Sequence, residues 1–488
     1  MSERLPSSAT VARAPRLRAL ARAVLAGVLA GPAAAICAPA AAAAPSIPAG
    51  GVTWVVTHCD DDGVGSLRQI VRDSAVSGDT VDLRFLSCST ITLTSGAIAV
   101  DLDDLTVLGA GRDRITIDAA HLGRAFAHDG SGTLDLRGLE IANGKYAAQA
   151  VVRGGCIYSR GDVALYEVSV HDCLASGSGA RGGGIYSRGN LDLTDSTVAN
   201  CTTRAGGDTV DVAQGGGVFA EAGLVVVRST ISGNLAASGH GTGAMFGGGA
   251  FVRGNFVAKY SGFLDNATHA DAGYDSAGGV GVEGGALVVG SSFHGNSAMS
   301  SGGLAIRGGN GAEVTISNST ISANQSRRGA GLAVGAAFTL SNSTVTGNRT
   351  YFFGAADLGG AGVFVGTTAT IESSIVAGNV SSNNGAARDL GGADTATIGG
   401  SRNLIGVSRL AVPPDTSAAD PRLGAPIRRG TAMTYPLLPG SPAIDAGSNP
   451  RFLPFDQRGD PFRRVVGAGP DIGAYEFDPD RIFFDDFE

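Results

Sequence analysis

Eight copies of a two-part motif dominate the sequence. Each copy begins with a glycine triplet that leads into a short apolar run, and its second part ends in a pattern close to S-T-[IV]-x-x-N. The last position of the second part falls at residues 173, 201, 234, 266, 296, 324, 348 and 379, in steps of 24 to 33 residues. A nearly constant period with insertions of variable length is typical of stacked coils that carry loops on one side.

The repeat predicts an all-β fold, namely a single-stranded right-handed parallel β-helix. Apolar residues alternate within a unit, as they do from Leu191 to Thr194, so one face of each strand points inward. Helical repeats are excluded because every unit contains glycines, and each would cost a helix about 1 kcal/mol. Units of about 29 residues have room for three short strands, too few for a propeller blade. The right hand follows from the usual hand of parallel crossovers.

The last position of the second part predicts a ladder, because equivalent side chains in successive parallel coils lie about 4.8 Å apart. Asparagine at this position tolerates the left-handed conformation of a turn and can hydrogen-bond neighbouring amides. The two preceding units carry Cys173 and Cys201 instead, at a spacing that predicts a Cys173–Cys201 disulfide; the alternative is a pair of stacked buried thiols. The ladder residues are Asn234, Asn266, Asn296, Asn324, Asn348 and Asn379.

Residues 52–90 predict a cap over the N-terminal end of the β-helix, which we place at 91–405. Ser66 and Gln69 match the capping box of a short helix. Cys59 and Cys88 flank this helix, and we expect them to form a disulfide in an exported protein. The apolar face of the helix consists of Leu67, Ile70, Val71 and Ala75.

Cys156 replaces the third glycine of its unit and is left over once the other cysteines of the mature chain are paired. We expect it to be a buried, inert thiol, because free cysteine behaves as a small apolar residue.

The first 44 residues have the composition of a cleaved signal peptide, with a basic start, an apolar run and A-x-A sites near Ala42 to Ala44. An uncleaved membrane helix is the alternative, but Gly31, Pro32 and Pro39 interrupt the run. Without this segment the chain has 31 basic and 43 acidic residues, a net charge of −12. This balance argues against nucleic acid or anionic lipid as a partner. No later run approaches the roughly 18 apolar residues of a membrane span. We expect the protein to be a monomer.

Beyond residue 405 the repeat stops and three motifs follow: SPAIDAG (441–447), FDQRGDPFR (455–463) and GPDIGAYEF (469–477). Together with CDDDGVGSLRQIV (59–71) and the GGGIY and STISGN units, they make the chain resemble bacterial choice-of-anchor Q domain-containing β-helix proteins. That family is similar to polymorphic outer-membrane protein repeats and has a pectin-lyase-like fold. The resemblance covers most of the mature chain.

The resemblance implies a secreted or surface-displayed protein of a Gram-negative bacterium, and it implies no established reaction. It makes residues 406–477 a choice-of-anchor-like segment. Residues 478–488 resemble the short acidic tails of other exported proteins.

Candidate catalytic residues are few, and fold analogy alone does not supply a site. His240 lies in Gly-His-Gly, a short element of the galacturonase signature, but the paired aspartates of such hydrolases are missing. A lyase of acidic polysaccharide needs a base beside the uronate and acids for calcium. Lys259 with Asp265, Asp271 and Asp275 is the best combination; alternatively, Asp265 belongs to a turn and the other two to a solvated insertion.

Calcium is the one cofactor for which the sequence offers further ligands, at Asp60, Asp61 and Asp62. Their spacing matches no calcium loop, and a solvated turn needs no metal. The histidines and cysteines show no zinc spacing.

Two function classes remain. The first is a non-enzymatic exported protein with a binding, adhesive or structural role, whose partners are glycans or cell-surface components. The second is a lyase or hydrolase of acidic polysaccharide. The insertions at 235–246 and 267–277 would carry either function, because loops host sites on such scaffolds. Convergence of Lys, Arg and several carboxylates in one groove favours the enzyme, and a flat polar or weakly acidic face favours binding.

Overall fold

The computed structural model describes nine stretches of the chain, and only the backbone of residues 244, 245, 274 and 275. Within them the chain is an all-β parallel solenoid of about 11 turns with one short helix near its start, which confirms the predicted fold class. That helix is too short to cross a membrane, as is every helix of the described part. The stretches are 51–206, 212–238, 244–269, 274–275, 277–309, 311–326, 331–351, 360–381 and 388–480.

Three long parallel sheets form the walls of the solenoid. The first sheet contains Thr53–Val55, Asp79–Asp82, Leu105–Leu108, Thr133–Arg137, Asp162–Tyr166, Asn190–Thr194, Gly223–Val227, Asn255–Lys259, Ala286–Val289, Val314–Ser317, Phe338–Ser341, Thr368–Glu372 and Thr397–Ser401. The second contains Thr90–Thr92, Thr116–Asp118, Glu140–Ala142, Ser169–His171, Thr197–Ala199, Thr230–Ser232, Gly262–Leu264, Ser292–His294, Thr320–Ser322, Thr344–Thr346, Ile375–Val376 and Leu404–Ile405. The third contains Ile98–Val100, Phe126–His128, Ile157–Ser159, Ile185–Ser187, Val218–Ala220, Ala250–Val252, Val280–Val282, Leu304–Ile306, Leu332–Val334, Val363–Val365 and Leu390–Gly392.

Two further parallel sheets occupy the connection from the second sheet to the third, so several coils have more strands than the three that we expected. The described parts of the insertions, which we expected to be loops, therefore extend the solenoid wall. The fourth sheet contains Lys145–Ala147, Leu174–Gly177, Thr202–Ala205, Leu235–Ser238, Ala267–His269, Ser297–Ala298, Gln325–Ser326, Arg349–Thr350 and Val380–Ser381. The fifth contains Val151–Arg153, Gly179–Arg181, Val212–Gln214, Ala244–Phe246 and Tyr274–Asp275.

The predicted cap contains an α-helix, Leu67–Gln69, that continues as a π-turn, Ile70–Ser74. Ser66 Oγ accepts a hydrogen bond from the backbone N–H of Gln69 at 3.1 Å, as in the expected capping box. The Gln69 side chain accepts from Gly65 N–H instead of from Ser66 N–H. The predicted apolar face is buried in the solenoid core. Two strands from the same part of the chain already belong to the first sheet.

The asparagine ladder is present and runs inside the turn that follows the second sheet. In each step the side-chain amide and the backbone N–H of one asparagine both donate to Oδ1 of the next, as from Asn266 to Asn296 at 3.0 Å. The column ends at Asp389, whose carboxylate accepts both N–H groups of Asn379 and that of Val407. All six asparagines are buried.

The left-handed conformation falls on the residue before each ladder position, which corrects our expectation that the asparagine itself adopts it. Asp265 has φ +56° and Gly295 has φ +68°, each one residue ahead of its asparagine. The asparagine thus keeps an ordinary backbone, and the strained position is filled by glycine or by short residues.

A second ladder, which we did not predict, consists of serines five residues ahead of the first. Each serine Oγ accepts a hydrogen bond from the backbone N–H of the equivalent residue in the preceding coil, as Ser261 Oγ does from Ser229 N–H at 3.2 Å. The same hydroxyl donates to a carbonyl two residues earlier, as from Ser261 to Lys259 at 2.9 Å. The column contains Ser196, Ser229, Ser261, Ser291, Ser319, Ser343 and Ser374 and ends at Asn403.

The cysteines pair differently from our prediction. Cys59 and Cys88 form a disulfide with Cα atoms 6.5 Å apart, as expected. Cys173, however, bonds to Cys156, with Cα atoms 5.5 Å apart, and Cys201 is a free buried thiol. The predicted Cys173–Cys201 bridge and the inert Cys156 are therefore both wrong, because the third glycine position of a coil faces that coil's own ladder position.

The C-terminal segment folds back along the outer surface of the second sheet. The side-chain amide of Gln457 donates to Ser291 O at 3.2 Å and to Ser292 Oγ at 2.8 Å, and its oxygen accepts from the Thr320 hydroxyl. This segment includes the antiparallel hairpin Ile427–Arg429 and Ala432–Thr434. Further contacts are Thr431 with Tyr260, Asn318 with Phe455, Asn342 with Ser448, Thr344 with Ala474 and Arg402 with Gly447.

Buried charges hold the C-terminal segment together and account for its motifs. Asp456 and Arg458 form a buried ion pair at 2.6 Å, and the buried Arg464 donates to Asp471 O at 2.6 Å. Burial, followed by repulsion from Asp471, raises the pKa of Glu476 to about 8. Through its contacts with residues from Tyr260 onward, the segment covers the second sheet from about residue 260.

Candidate ligand-binding face

The third sheet carries an aromatic column outside the main core. The middle residue of each strand points away from the core, as in Ile157–Ser159, and Tyr186, Phe219 and Phe251 are buried by the side chains that pack around them. Consecutive coils place Tyr158, Tyr186, Phe219 and Phe251 in register. Ring centroids lie 5.5 to 5.6 Å apart along this column, and the first three rings are stacked. The column forms a small apolar cluster separate from the main core.

Arginine side chains lie over these rings. Arg153 is 5.5 Å from the ring centre of Tyr186, and both Arg181 and Arg253 lie over Phe219, at 5.5 and 5.6 Å. Guanidinium groups in such positions are attracted by the ring faces. Arg153 and Arg181 belong to the fifth sheet, whereas Arg253 follows a strand of the third sheet. We call these three arginines, the four rings and Glu221 the arginine–aromatic face.

Glu221 is the carboxylate at the centre of this face. It accepts a hydrogen bond from the Tyr186 hydroxyl at 2.7 Å and lies 3.7 Å from Arg253 and 4.0 Å from Arg181. Burial and the hydrogen bond to Glu221 raise the pKa of Tyr186 to about 12, so the phenol stays protonated and neutral.

Positive charge exceeds negative charge at the centre of the face. Burial lowers the pKa of Arg181, and repulsion from Arg253 and Arg153 lowers it further. Three guanidinium groups thus share one carboxylate, that of Glu221. Nε of Arg153 is buried with no hydrogen-bond partner in the described part of the chain. An anion bound here would relieve this repulsion, since charge-assisted hydrogen bonds to guanidinium are strong.

The predicted lyase residues do not form a site in the described part of the chain. Lys259 ends a strand of the first sheet between Val227 and Val289, and no ion pair joins it to a carboxylate there. Asp265 is an exposed turn residue after the next strand, on the second sheet. Asp275 lies in the last strand of the fifth sheet, where only its backbone is described. His240 and Asp271 lie outside the described residues.

The acidic run near Cys59 binds protein groups. Asp61 accepts hydrogen bonds from Arg68, Thr94 and Ser95. Burial opposes ionisation of Asp61, but the hydrogen bonds from Ser95 and Arg68 outweigh it and lower its pKa to about 2. Asp62 pairs with Arg72 at 3.0 Å, and Asp60 lies 3.2 Å from His58. Among the described residues, no group of three His, Cys, Asp or Glu side chains is placed to hold a metal ion.

A cavity of about 560 Å³ lies near the Cys59–Cys88 disulfide, away from the arginine–aromatic face. Its lining includes Arg84, Arg114 and the hydroxyls of Ser87 and Ser89. Arg84 is already paired with Asp82 at 2.8 Å. The cavity contains none of the sequence-predicted catalytic residues.

The sequence carried a signal for the arginine–aromatic face that we did not use. The first parts of four successive units read CIYSR, GIYSR, GVFAE and GAFVR, so an aromatic residue recurs at one position and a charged residue two positions later. Arg153 and Arg181 precede the glycine triplets and lie outside the aligned motif. Their approach to the rings depends on the fifth sheet, which the repeat did not predict.

No protein-family model matches the chain, and no curated protein matches it at a significant level. Among solved structures, the chain is similar to the crystal structure of pectate lyase Pel9A, with a TM-score of 0.42 and 13% sequence identity. The match covers 88% of this chain and 96% of that one.

Proposed function

We propose that this chain is an exported or surface-displayed β-helix protein that binds an anionic glycan along the arginine–aromatic face, without a catalytic role. The observation that carries the proposal is the excess of guanidinium groups over carboxylates at the centre of the face. It is a local exception in a chain with an acidic balance.

Three properties of the face support a glycan as the ligand. The face extends along consecutive coils, as a linear polymer requires. It offers guanidinium groups that bind carboxylate or sulfate in a bidentate manner. The face also lies on the third sheet, whereas the C-terminal segment covers the second.

The proposed location is outside the cytoplasm, either secreted or displayed on the cell surface. It is supported by the resemblance to choice-of-anchor Q proteins and by the basic-then-apolar composition of residues 1–44. Disulfides, which persist in oxidising compartments, agree with export.

The test compares binding of anionic and neutral oligosaccharides of equal length by isothermal titration calorimetry at low salt. We expect the anionic oligosaccharides to bind and the double variant Arg181→Ala/Arg253→Ala to lose at least about tenfold in affinity, because hydrogen bonds to charged groups contribute about 1.5–3 kcal/mol. Affinity should also fall as salt is raised.

Arg228→Ala is the matched control, since Arg228 is a partly exposed arginine that pairs with Asp195 away from the face. It should leave binding unchanged. Equal binding of neutral oligosaccharides, or an equal loss in the control, would overturn the proposal.

A second candidate function is elimination of an acidic polysaccharide, favoured by the clustering of Arg153, Arg181 and Arg253 over neighbouring rings. Guanidinium groups that neutralise a uronate carboxylate make the neighbouring proton easier to remove. Appearance of unsaturated products with the wild-type chain and their absence with Arg181→Ala would establish this function in place of the first.

A further inference from the structure

A column of charged residues borders the arginine–aromatic face. One residue follows each strand of the third sheet, and backbone hydrogen bonds keep these residues in register. Glu221 N–H donates to Ser187 O at 3.0 Å and Arg253 N–H to Ala220 O at 3.1 Å. Glu283 and Arg307, in the next two coils, donate in the same way to the carbonyl at the end of the preceding strand.

The sign of the charge alternates along five consecutive coils of this column. Because successive parallel strands are about 4.8 Å apart, like charges recur at roughly 10 Å. The order is Arg188, Glu221, Arg253, Glu283 and Arg307.

The arginines of the column are accessible and only loosely paired with its glutamates, of which Glu221 also accepts a hydrogen bond from the Tyr186 hydroxyl at 2.7 Å. Arg253 and Arg307 expose 40% and 62% of their side chains. Each lies 3.7 Å from the glutamate of the preceding coil, Glu221 and Glu283 respectively. This is longer than the 2.7–2.9 Å of a charge-assisted hydrogen bond, so a ligand group can replace either partner.

We infer that the ligand is a linear polysaccharide with one anionic group per disaccharide, lying along the column with its anionic groups at the arginines. This inference rests on the proposed function, since it names the class of glycan that the same face binds. The anionic group is a carboxylate or a sulfate, which share the chemistry that guanidinium recognises.

The alternation argues against a polymer with a charge on every sugar. A pyranosyl unit of an extended chain advances by about one coil spacing, so every second carboxylate of such a polymer would lie opposite Glu221 or Glu283. Like charges at that distance repel each other. A neutral sugar at the same level would instead donate its hydroxyls to the glutamate carboxylate.

The experiment compares two octasaccharides by calorimetry with the full chain. One is a hyaluronan octasaccharide, in which glucuronate alternates with N-acetylglucosamine, and the other is an octagalacturonate. We expect the alternating octasaccharide to bind at least tenfold more tightly, even though it carries half the charge. A keratan sulfate octasaccharide sulfated only on its N-acetylglucosamine, with one sulfate and no carboxylate per disaccharide, then distinguishes sulfate from carboxylate recognition.

Glu283→Arg removes one repulsive level of the column and should reduce the preference for the alternating octasaccharide at least fivefold, chiefly through tighter octagalacturonate binding. Glu313→Arg makes the same charge change at an exposed residue before a strand of the first sheet and should leave the preference unchanged. Circular dichroism and the melting temperature verify that both variants are folded.

Octagalacturonate binding that equals or exceeds hyaluronan binding would overturn this inference and leave the proposed function standing. Failure of every anionic octasaccharide to bind the folded wild-type chain would overturn both.

Discussion

At the scale of single residues, the Cys156–Cys173 disulfide replaces a contact that other coils make between glycine and asparagine. A Cβ atom on Gly217 would lie 2.9 Å from the side chain of Asn234, so only a residue without a side chain fits beside the ladder. Cys156 lies 17 residues before Cys173. The same separation joins Gly217 to Asn234, so the two cysteines occupy the positions of such a pair.

In the next coil only one of the two equivalent positions is a cysteine, because Cys201 is a free thiol that faces Gly184. A Cβ atom on Gly184 would lie 3.0 Å from Cys201 Sγ, close to the separation of these atoms across a disulfide, about 3 Å. We therefore predict that Gly184→Cys forms a bridge to Cys201. Non-reducing peptide mapping should detect it, and the melting temperature should rise.

Gly184→Cys combined with Cys201→Ser is the control for this prediction. It should leave a free thiol at position 184 and show no such rise. A bridge from position 184 to any other cysteine would contradict the geometry.

His171, on the outer side of the second sheet, lies between two carboxylates. Its ring nitrogens contact Glu140 and Asp172. Burial lowers the pKa of His171, but the hydrogen bonds to Asp172 and Glu140 outweigh burial and raise it above 6.5. A raised folded-state pKa adds stability that is complete below the unfolded-state pKa and is lost as pH rises through the folded-state value.

We predict that His171→Gln lowers the free energy of unfolding at about pH 5 and has a smaller effect at about pH 9. Urea denaturation of both proteins at the two pH values measures this difference. His294→Gln is the control, since burial lowers the pKa of His294 and its pH dependence should have the opposite sign. Equal losses for His171→Gln at both pH values would show that the ion pairs contribute nothing.

At the scale of elements, two internal ladders fix the turns between sheets. Asn296 accepts the backbone and side-chain N–H groups of Asn266, and it donates to Phe263 O at 2.9 Å and to Asn324. Because these groups are buried, each unpaired donor would cost about 1–3 kcal/mol. The ladders thus hold neighbouring coils in register through side chains as well as through the sheets.

We predict that Asn296→Ala lowers the free energy of unfolding by about 2–4 kcal/mol, since it leaves two buried donors of Asn266 without an acceptor. Chemical denaturation measures the loss. Ser297→Ala, at the half-buried neighbouring position, is the control and should change stability by less than about 0.5 kcal/mol. A loss below about 1 kcal/mol for Asn296→Ala would mean that the ladder amides find other partners.

The sequence predicted the elements better than the contacts between them. The asparagine spacing located the ladder and the fold class, because a period is visible in one dimension. The disulfide was mispredicted because stacking between coils was considered and the contact within a coil, from Cys156 to Cys173, was not. The fifth sheet, and with it the approach of Arg153 and Arg181 to the rings, arises from insertions that share no motif.

At the scale of the whole molecule, the solenoid is a series of coils, each of which contacts its neighbours. We predict that deletion of residues 174–201, one whole unit from ladder position to ladder position, leaves a folded protein. The C-terminal segment contacts later coils, so its docking on the second sheet should survive. Circular dichroism and a single cooperative thermal transition provide the measurement.

Deletion of residues 174–187, half of the same unit, is the control and should abolish cooperative folding, because strands of different sheets would then meet. The whole-unit deletion also removes Arg181 and Tyr186, so it should bind anionic octasaccharides more weakly than the intact chain. Loss of folding in the whole-unit deletion would show that the coils are not independent.

The asparagine column that ends at Asp389 has a net dipole along the axis of the solenoid. Each side-chain amide of the column accepts with its oxygen from the preceding ladder residue and donates one N–H group to the next one, so the amide dipoles add as peptide dipoles do in an α-helix. The carboxylate of Asp389 lies at the positive pole of this array, where an acceptor without hydrogens is required. An asparagine there would carry an N–H group with no place in the column, so the carboxylate marks the end at which the array can grow no further.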